Sequence, residues 1–404
     1  MSVTEYNFSQ RSAAAAGLEP LLTLLLACMA ALLFLNPVTA GAAEKILSMG
    51  NETKPLSEWE IEGLKRALSD PDEKVREKAV SELAGTGDSD NIPGLGALLT
   101  DKNTAMRKAA LGAVTKMGAS SAKFAPEVIE NLDGQDKSLK YPAVTALAGI
   151  GKLQRGQIPA VIKLLNDKDG LVRAKAAQIL SWNREYADLI VPAALDMMRT
   201  GTPEEKVAGM SVLGRMGPEG VKHLADIAKL LNSEDPSVRA GAAAALGDLG
   251  SSSKPYAGDI IKLLNDKNSN TILQALKALD RIGDLTDEQT MQVAGFLESK
   301  NSKLSGSAAR TLGSLGKAKS DTAGLVARYL RSANPKTRAT AMLAIGDMGR
   351  NAREYAPNIA ELLKDNSPMV RLTAIKTLGN MGDAGKSEAG QIKKLISDKN
   401  TAVS

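Results

Sequence analysis

A glycine-terminated stretch returns every 33 residues between Gly118 and Gly382, and a strict period of that size leaves few folds open. Successive units end Thr-Lys-Met-Gly118, Ala-Gly-Ile-Gly151, Gly-Arg-Met-Gly217 and Gly-Asp-Leu-Gly250. They continue Asp-Arg-Ile-Gly283, Gly-Ser-Leu-Gly316, Gly-Asp-Met-Gly349 and Gly-Asn-Met-Gly382; only Arg184 interrupts the series. A unit this short cannot bury an apolar face alone, so the units must stack. The period predicts a solenoid that works by presenting a long surface.

One unit shows what is stacked. In Tyr355-Ala-Pro-Asn-Ile-Ala-Glu-Leu-Leu-Lys-Asp365, residues Ile359, Leu362 and Leu363 fall on one helical face. Asp-Asn-Ser-Pro368 then breaks the helix, and proline suits the first turn of the next. Val370, Ala374, Leu378 and Met381 form the stripe of that second helix, and Gly382 fits a left-handed position beyond its end. The expectation is all-α: helix, tight turn, helix, loop, repeated about ten to eleven times.

Ankyrin and tetratricopeptide repeats have nearly this length, but the Thr-Pro-Leu-His of the first is absent. The aromatic positions of the second are unfilled in a chain with 3% aromatics. The pattern Asp-x4-Val-Arg-x2-Ala-x3-Leu-Gly-x-Met/Leu-Gly instead resembles HEAT repeats, in particular the short HEAT-like repeats named after phycobilisome lyases. The resemblance covers residues 57–404 and is specific for fold, not for function. It implies an inter-repeat ladder at the turns, carried by pairs such as Asp101 and Arg107, Asp167 and Arg173, and Asp365 and Arg371. In the basic column Ile272 and Ser305 replace the cation. That loss predicts a more pliable stretch at repeats seven and eight.

Residues 1–42 read as a secretory signal peptide or an N-terminal membrane anchor, 43–56 as a linker, and 57–404 as the solenoid. Leu21 to Leu35 is a 15-residue apolar run, short for a membrane span, followed by small residues up to Ala40 and Ala42. Glu5 and Glu19 beside Arg11 depart from the usual positive start of such a signal. Cys28, the only cysteine, lies inside the segment, so cleavage leaves a chain without thiol chemistry. Ser57-Glu58-Trp59-Glu60 has the spacing of a capping box opening the first helix. At the other end Asp398-Lys-Asn-Thr-Ala402 repeats Asp101 to Ala105, predicting an eleventh first helix that either caps the stack, the preferred reading, or docks its uncovered face on a partner.

Several chemistries are closed by count. His223 is the only histidine, which excludes zinc sites of His and Cys and leaves no nucleophile beside it for a triad. It shares a 33-residue column with Phe124, Tyr256 and Tyr355, the place of an aromatic ring packed against the neighbouring unit. Iron-dependent hydroxylases among HEAT-like proteins carry His-Glu pairs, but Leu224 follows His223 here. No glycine-rich phosphate loop is present, and neither cofactor nor metal is expected. The net charge of +5 becomes +6 on removing Arg11, Glu5 and Glu19 with residues 1–40. Its signs alternate as on a solvated helical face, so no nucleic acid is expected as partner.

The remaining irregularities point to contact with another protein. Trp182 stands where other units have Arg215, Asp248, Asp347 or Asn380, with Tyr186 close by: an exposed aromatic anchor or the closure of an irregular loop. Lys277, Arg281 and Arg310 project from the second helices of repeats seven and eight as a small basic patch. Small residues such as Ala208, Gly241 and Ser307 share a column expected to line a shallow concave groove suited to a peptide. The sequence therefore predicts a non-catalytic, exported protein-interaction scaffold, periplasmic or extracellular, touching membrane only through an uncleaved N-terminal segment. A bilin-lyase-like enzyme and a nucleic-acid-binding HEAT-like protein are the alternatives.

Overall fold

The computed structural model describes residues 55–404 except 135, 320, 398, 399, 401 and 404. The expected signal segment, Cys28 and most of the linker lie outside the described residues. The chain divides into two compact units, Met1–Arg66 and Ala67–Ser404. Of the first, the main described element is the helix Glu58–Ala67, which runs one residue past the division. Glu60 Oε2 reaches back to the Ser57 amide at 2.8 Å, the returning half of the expected capping box, and the Ser57 hydroxyl donates to the same oxygen.

In the second unit first helices, short except for the 14-residue Ala187–Thr200, alternate with longer second helices, and no strand occurs among the described residues. Ala257–Lys262 is typical of the first set: six residues, then a 3-10 turn on Leu263–Asn265 that satisfies late carbonyls by tightening. Second helices run from 11 residues in Lys140–Ile150 to 17 in Ser302–Ala318. From Glu73–Ala84 to Pro368–Asn380, each packs on the second helix before and after it. The predicted stripe is buried: Val370 and Ala374 are 0% exposed, Leu378 1% and Met381 5%. Burying a Val or Leu this fully contributes about 1.5–3 kcal/mol.

The turn between the two helices is built from side-chain caps. Asp266 Oδ1 accepts from the Asn268 amide, and Asn268 Oδ1 in turn accepts from Asn270 at the start of the second helix. Asn103, Asp169, Asp235, Asn301 and Asn334 cap their helices in the same way. Pro203, Pro236, Pro335 and Pro368 occupy the first helical position, where a missing amide costs nothing.

The two glycines of Leu-Gly-x-Leu-Gly have different causes. The first permits close approach: a Cβ on Gly214 would lie 2.9 Å from Ala245 Cα, and one on Gly247 2.8 Å from Ala278 Cα. The second turns the chain. Gly217 has φ 58° and ψ −127°, and Gly382 φ 61° and ψ −124°. The positive φ agrees with expectation, but this ψ lies outside the left-handed helical well, in a region that side chains exclude. Gly316 departs from the series, since its helix continues to Ala318. There the glycine is held by space, because a Cβ would sit 2.3 Å from Met348 Cγ.

The break at position 184 has a local explanation. Asn183 takes the place of the buried Met, Ile or Leu of other units and is itself fully buried. Its amide donates to Gly151 O and Ile179 O, and its Oδ1 accepts from the Leu153 amide at 2.8 Å. One side chain thus clamps two units at the point where glycine would have turned the chain, and Arg184–Tyr186 follows as a 3-10 turn.

The ladder runs in a register that the motif alone does not reveal. Within a unit the arginine bonds main-chain carbonyls, not the aspartate side chain. Arg107, Arg173 and Arg371 reach the carbonyl oxygens of Asp101, Asp167 and Asp365 at 2.5, 2.6 and 2.9 Å. The carboxylate instead receives the cation of the preceding unit, 27 residues earlier. Arg239 pairs bidentately with Asp266 and Arg338 with Asp365, while Lys140 meets Asp167 at 2.7 Å. Arg107 reaches Asp136 at 3.8 Å. Because each rung needs both partners, Arg173 facing Thr200 and Lys206 facing Ser233 make none, and neither do Ile272 with Ser299 or Ser305 with Ser332.

Asp266 is 6% exposed and Arg239 19%, so truncating one leaves the other short of partners in a poorly solvated seam. Arg239→Met should cost about 3 kcal/mol, read as a lower urea midpoint. Lys229→Met, which removes the exposed pair with Asp226, should cost under about 0.5 kcal/mol. The Arg239 hydrogen bond holds the Asp266 carboxyl below its ordinary value against the opposing effect of burial. At Asp365 burial raises the carboxyl, and the Arg338 and Ser367 hydrogen bonds more than offset it. A depressed folded-state value means stability present above the unfolded value of about 4 and lost below it. The Arg239→Met penalty should therefore shrink as pH falls from about 5 towards 2.

Consecutive empty rungs at Ile272 with Ser299 and Ser305 with Ser332 predict local opening. Amides around residues 295–306 and 328–339 should exchange at least about tenfold faster than those around 262–273 and 361–372. Equal or slower exchange, measured by mass spectrometry, would remove the mechanical role of the rungs.

Candidate partner-binding surface

With the second helices packed in series, their outward residues form columns at 33-residue spacing. One runs Ser211, Ala244, Lys277, Arg310, Leu343 and Lys376, with Lys277, Arg310, Leu343 and Lys376 exposed. Another, at the helix C-termini, runs Trp182, Arg215, Asp248 and Arg281. The column of Ala208, Gly241 and Ser307, expected to line the groove, lies three positions before that of Ser211 and serves packing. Ala208 and Ser307 are 6% and 8% exposed, and a Cβ on Gly241 would meet Val207 and Met210 at 3.1 Å.

Trp182 is 41% exposed at the last position of the helix Gly170–Trp182, and Tyr186 is half-buried in the turn that follows. Arg281 is committed to an ion pair with Asp248, whose second oxygen lies 3.8 Å from Arg215 Nε. The expected basic patch is thereby reduced to Lys277 and Arg310, which carry no ion pair among the described residues. The structure groups Trp182 with Arg184, Arg215, Gly214, Gly217 and Asp248 around an open cleft of about 360 Å³. Tyr186, Lys277 and Arg310 lie outside that lining.

Exposed apolar residues on the same helices extend the surface. Leu171 is 63% exposed, Leu343 52% and Tyr141 43%. Leu171 shares a column with the polar Glu204, Ser237, Asn270, Lys303 and Lys336 and with a second exposed apolar residue, Met369, and Leu343 shares one with Lys277 and Arg310. An apolar residue in a polar column was the available signal, visible once the units are aligned.

Phe124, His223, Tyr256 and Tyr355 each immediately precede a first helix and are half-buried. The Phe124 ring lies 3.6 Å from where a Cβ on Gly96 would stand, and the Tyr355 hydroxyl 3.1 Å from that position on Gly324. In these two units the ring rests on the preceding first helix. Among the described residues no cluster of His, Cys, Asp and Glu could hold a metal, and no helix is long and apolar enough to cross a membrane.

A linear series of helix pairs with capped turns and inter-repeat rungs defines an α-solenoid. Three stretches, residues 61–132, 226–303 and 322–403, match the family model for HEAT repeats and together span more than half of the chain. The chain belongs to the HEAT-repeat family. Yeast importin-β (Kap95p) is similar in structure, with a TM-score of 0.58 at 13% identity over 84% of this chain and 53% of that one. Kap95p bound to RanGDP gives 0.54 at 13% identity, covering 83% and 52%, and the Kap95 complex with Nup1 gives 0.54 at 13%, covering 84% and 53%. This chain spans about half the length of those proteins, and at such identity the likeness shows the fold alone. A comparison with curated protein sequences finds no match.

Proposed function

We propose that this solenoid is a non-catalytic, exported scaffold that binds another protein along the face of its second helices. The observation that carries the reading is the set of exposed apolar residues on the second helices, Tyr141, Leu171 and Trp182 on two consecutive ones and Leu343 on a later one, with Lys277 and Arg310 exposed on the two helices before that of Leu343. Aromatic and apolar anchors ringed by polar side chains are the composition of protein-binding surfaces. The fold agrees with that use, since the similar Kap95p structures are complexes with protein partners in two instances. Trp182, Tyr186, Lys277, Arg281 and Arg310 are the proposed contact residues, with Arg281 acting through its pair with Asp248. Export rests on residues 21–42, and the assignment to the short phycobilisome-lyase-like subtype rests on the recurring pattern Asp-x4-Val-Arg-x2-Ala-x3-Leu-Gly-x-Met/Leu-Gly.

Site-specific photo-cross-linking in the native host tests the face directly. A benzoylphenylalanine at Tyr141, Leu171 or Leu343 should yield a discrete heteromeric adduct, whereas one at Lys163 or Lys262 on the first helices should not. Adducts confined to the first-helix positions would place the partner on the opposite side. Adducts formed outside the cytoplasm by a chain starting at Gly41 or Ala43 support export; full-length chain in the cytosol contradicts it.

A further inference from the structure

The cleft at the end of the helix Gly170–Trp182 has more chemistry than the scaffold reading requires. Its walls are the Trp182 ring, the Arg184 and Arg215 side chains and Asp248, over Gly214 and Gly217. Arg184 stands where other units carry glycine, so this unit alone of the series adds a guanidinium there. The side chain folds back, its Nε donating to Ser181 O at 2.9 Å while Nη1 lies 3.2 Å from where a Cβ on Gly217 would stand.

Neighbouring carboxylates are already matched. Glu185 accepts two hydrogen bonds from Lys152 at 2.8 and 2.9 Å, Asp188 pairs with Arg155, and Asp248 lies between Arg215 and Arg281. Arg184 has no ion pair among the described residues, and its terminal nitrogens still have donors to offer. Arg184 and Arg215 against Asp248 leave a surplus of one positive charge in the lining of the cleft, and Arg281 pairs with Asp248 from outside that lining. A planar guanidinium beside an exposed indole fits a carboxylate, with the chain that bears it resting on the ring.

We propose that this cleft binds an acidic segment of a protein partner, a Glu or Asp carboxylate bonding Arg184 and Arg215 while the adjoining chain packs on Trp182. The inference rests on the scaffold reading and names the chemistry of the partner at one end of its surface. The cleft then discriminates among extended segments by charge, where the apolar positions Leu171 and Leu343 cannot.

The test uses purified protein carrying Trp59→Phe, so that Trp182 is the single tryptophan reporter. Titration with a hexaglutamate peptide at low salt should give a saturable change in Trp182 emission, weakening as salt is raised through the range that screens exposed charges. Arg184→Gln and Arg215→Gln should each raise Kd at least about tenfold, with unchanged helical circular dichroism. Lys163→Gln, on a first helix and outside both the cleft and the proposed face, should leave Kd within about twofold. No change in emission or retained affinity in Arg184→Gln overturns the proposal. Equal effects from inorganic phosphate would mark a general anion site and overturn the peptide assignment. Second-helix cross-links in the host without hexaglutamate binding would remove the cleft and keep the scaffold. Peptide binding without those cross-links would do the reverse.

Discussion

The close packing of each second helix on the next is the constraint from which the rest follows. Gly214 and Gly247 leave room for Ala245 and Ala278 at a separation no side chain allows, and that contact recurs along the array. Each unit contributes only half of an interface, so stability is shared between neighbours and no central core exists. Turn caps, positive-φ glycines and inter-repeat rungs keep successive helices in one register. A surface made of successive second helices is the by-product.

Rungs and clamps modulate this array without defining it. Arg239 with Asp266 and Arg338 with Asp365 are bidentate pairs in partly buried seams, whereas the intervening seams have serine where aspartate would stand. Asn183 ties the second helix of unit four to the end of unit three through Gly151 and Leu153, with a third hydrogen bond to Ile179 in its own helix. That substitution frees position 184 from the glycine requirement, and the arginine placed there reshapes the local surface. Irregularity in a repeat protein is where chemistry is added, because the regular positions are all committed to packing.

Period, helix pairing and turn chemistry were legible in the sequence because they depend on residues within one unit. Val370, Ala374 and Leu378 mark their helix by spacing alone, and Pro368 marks its start. The ladder was half legible: the residue types were right, but pairing Asp365 with Arg371 by proximity missed that the carboxylate serves Arg338. Reading the columns 27 residues apart recovers every observed rung except the substitute Asp136. Surface assignments fared less evenly. Trp182 is legible as a misfit in its column, whereas Arg281 counts towards the basic patch in the sequence because its partner Asp248 lies 33 residues away. Ala208 and Ser307 stand in a column of small residues, and small size alone does not separate a groove lining from a buried packing position. Arg184 registered only as a missing glycine, since a cleft shared by three units has no signature within one.

If nearest-neighbour stacking at a fixed period is what holds the chain together, a whole unit is removable. Deleting residues 251–283 joins Gly250 to Asp284 and leaves the 33-residue register intact. The account predicts a soluble monomeric chain with unchanged helical ellipticity per residue, a cooperative thermal transition and retained emission of the tryptophan at position 182. A collapsed or aggregating product without a cooperative transition would show that contacts beyond adjacent units hold the fold, and would contradict it.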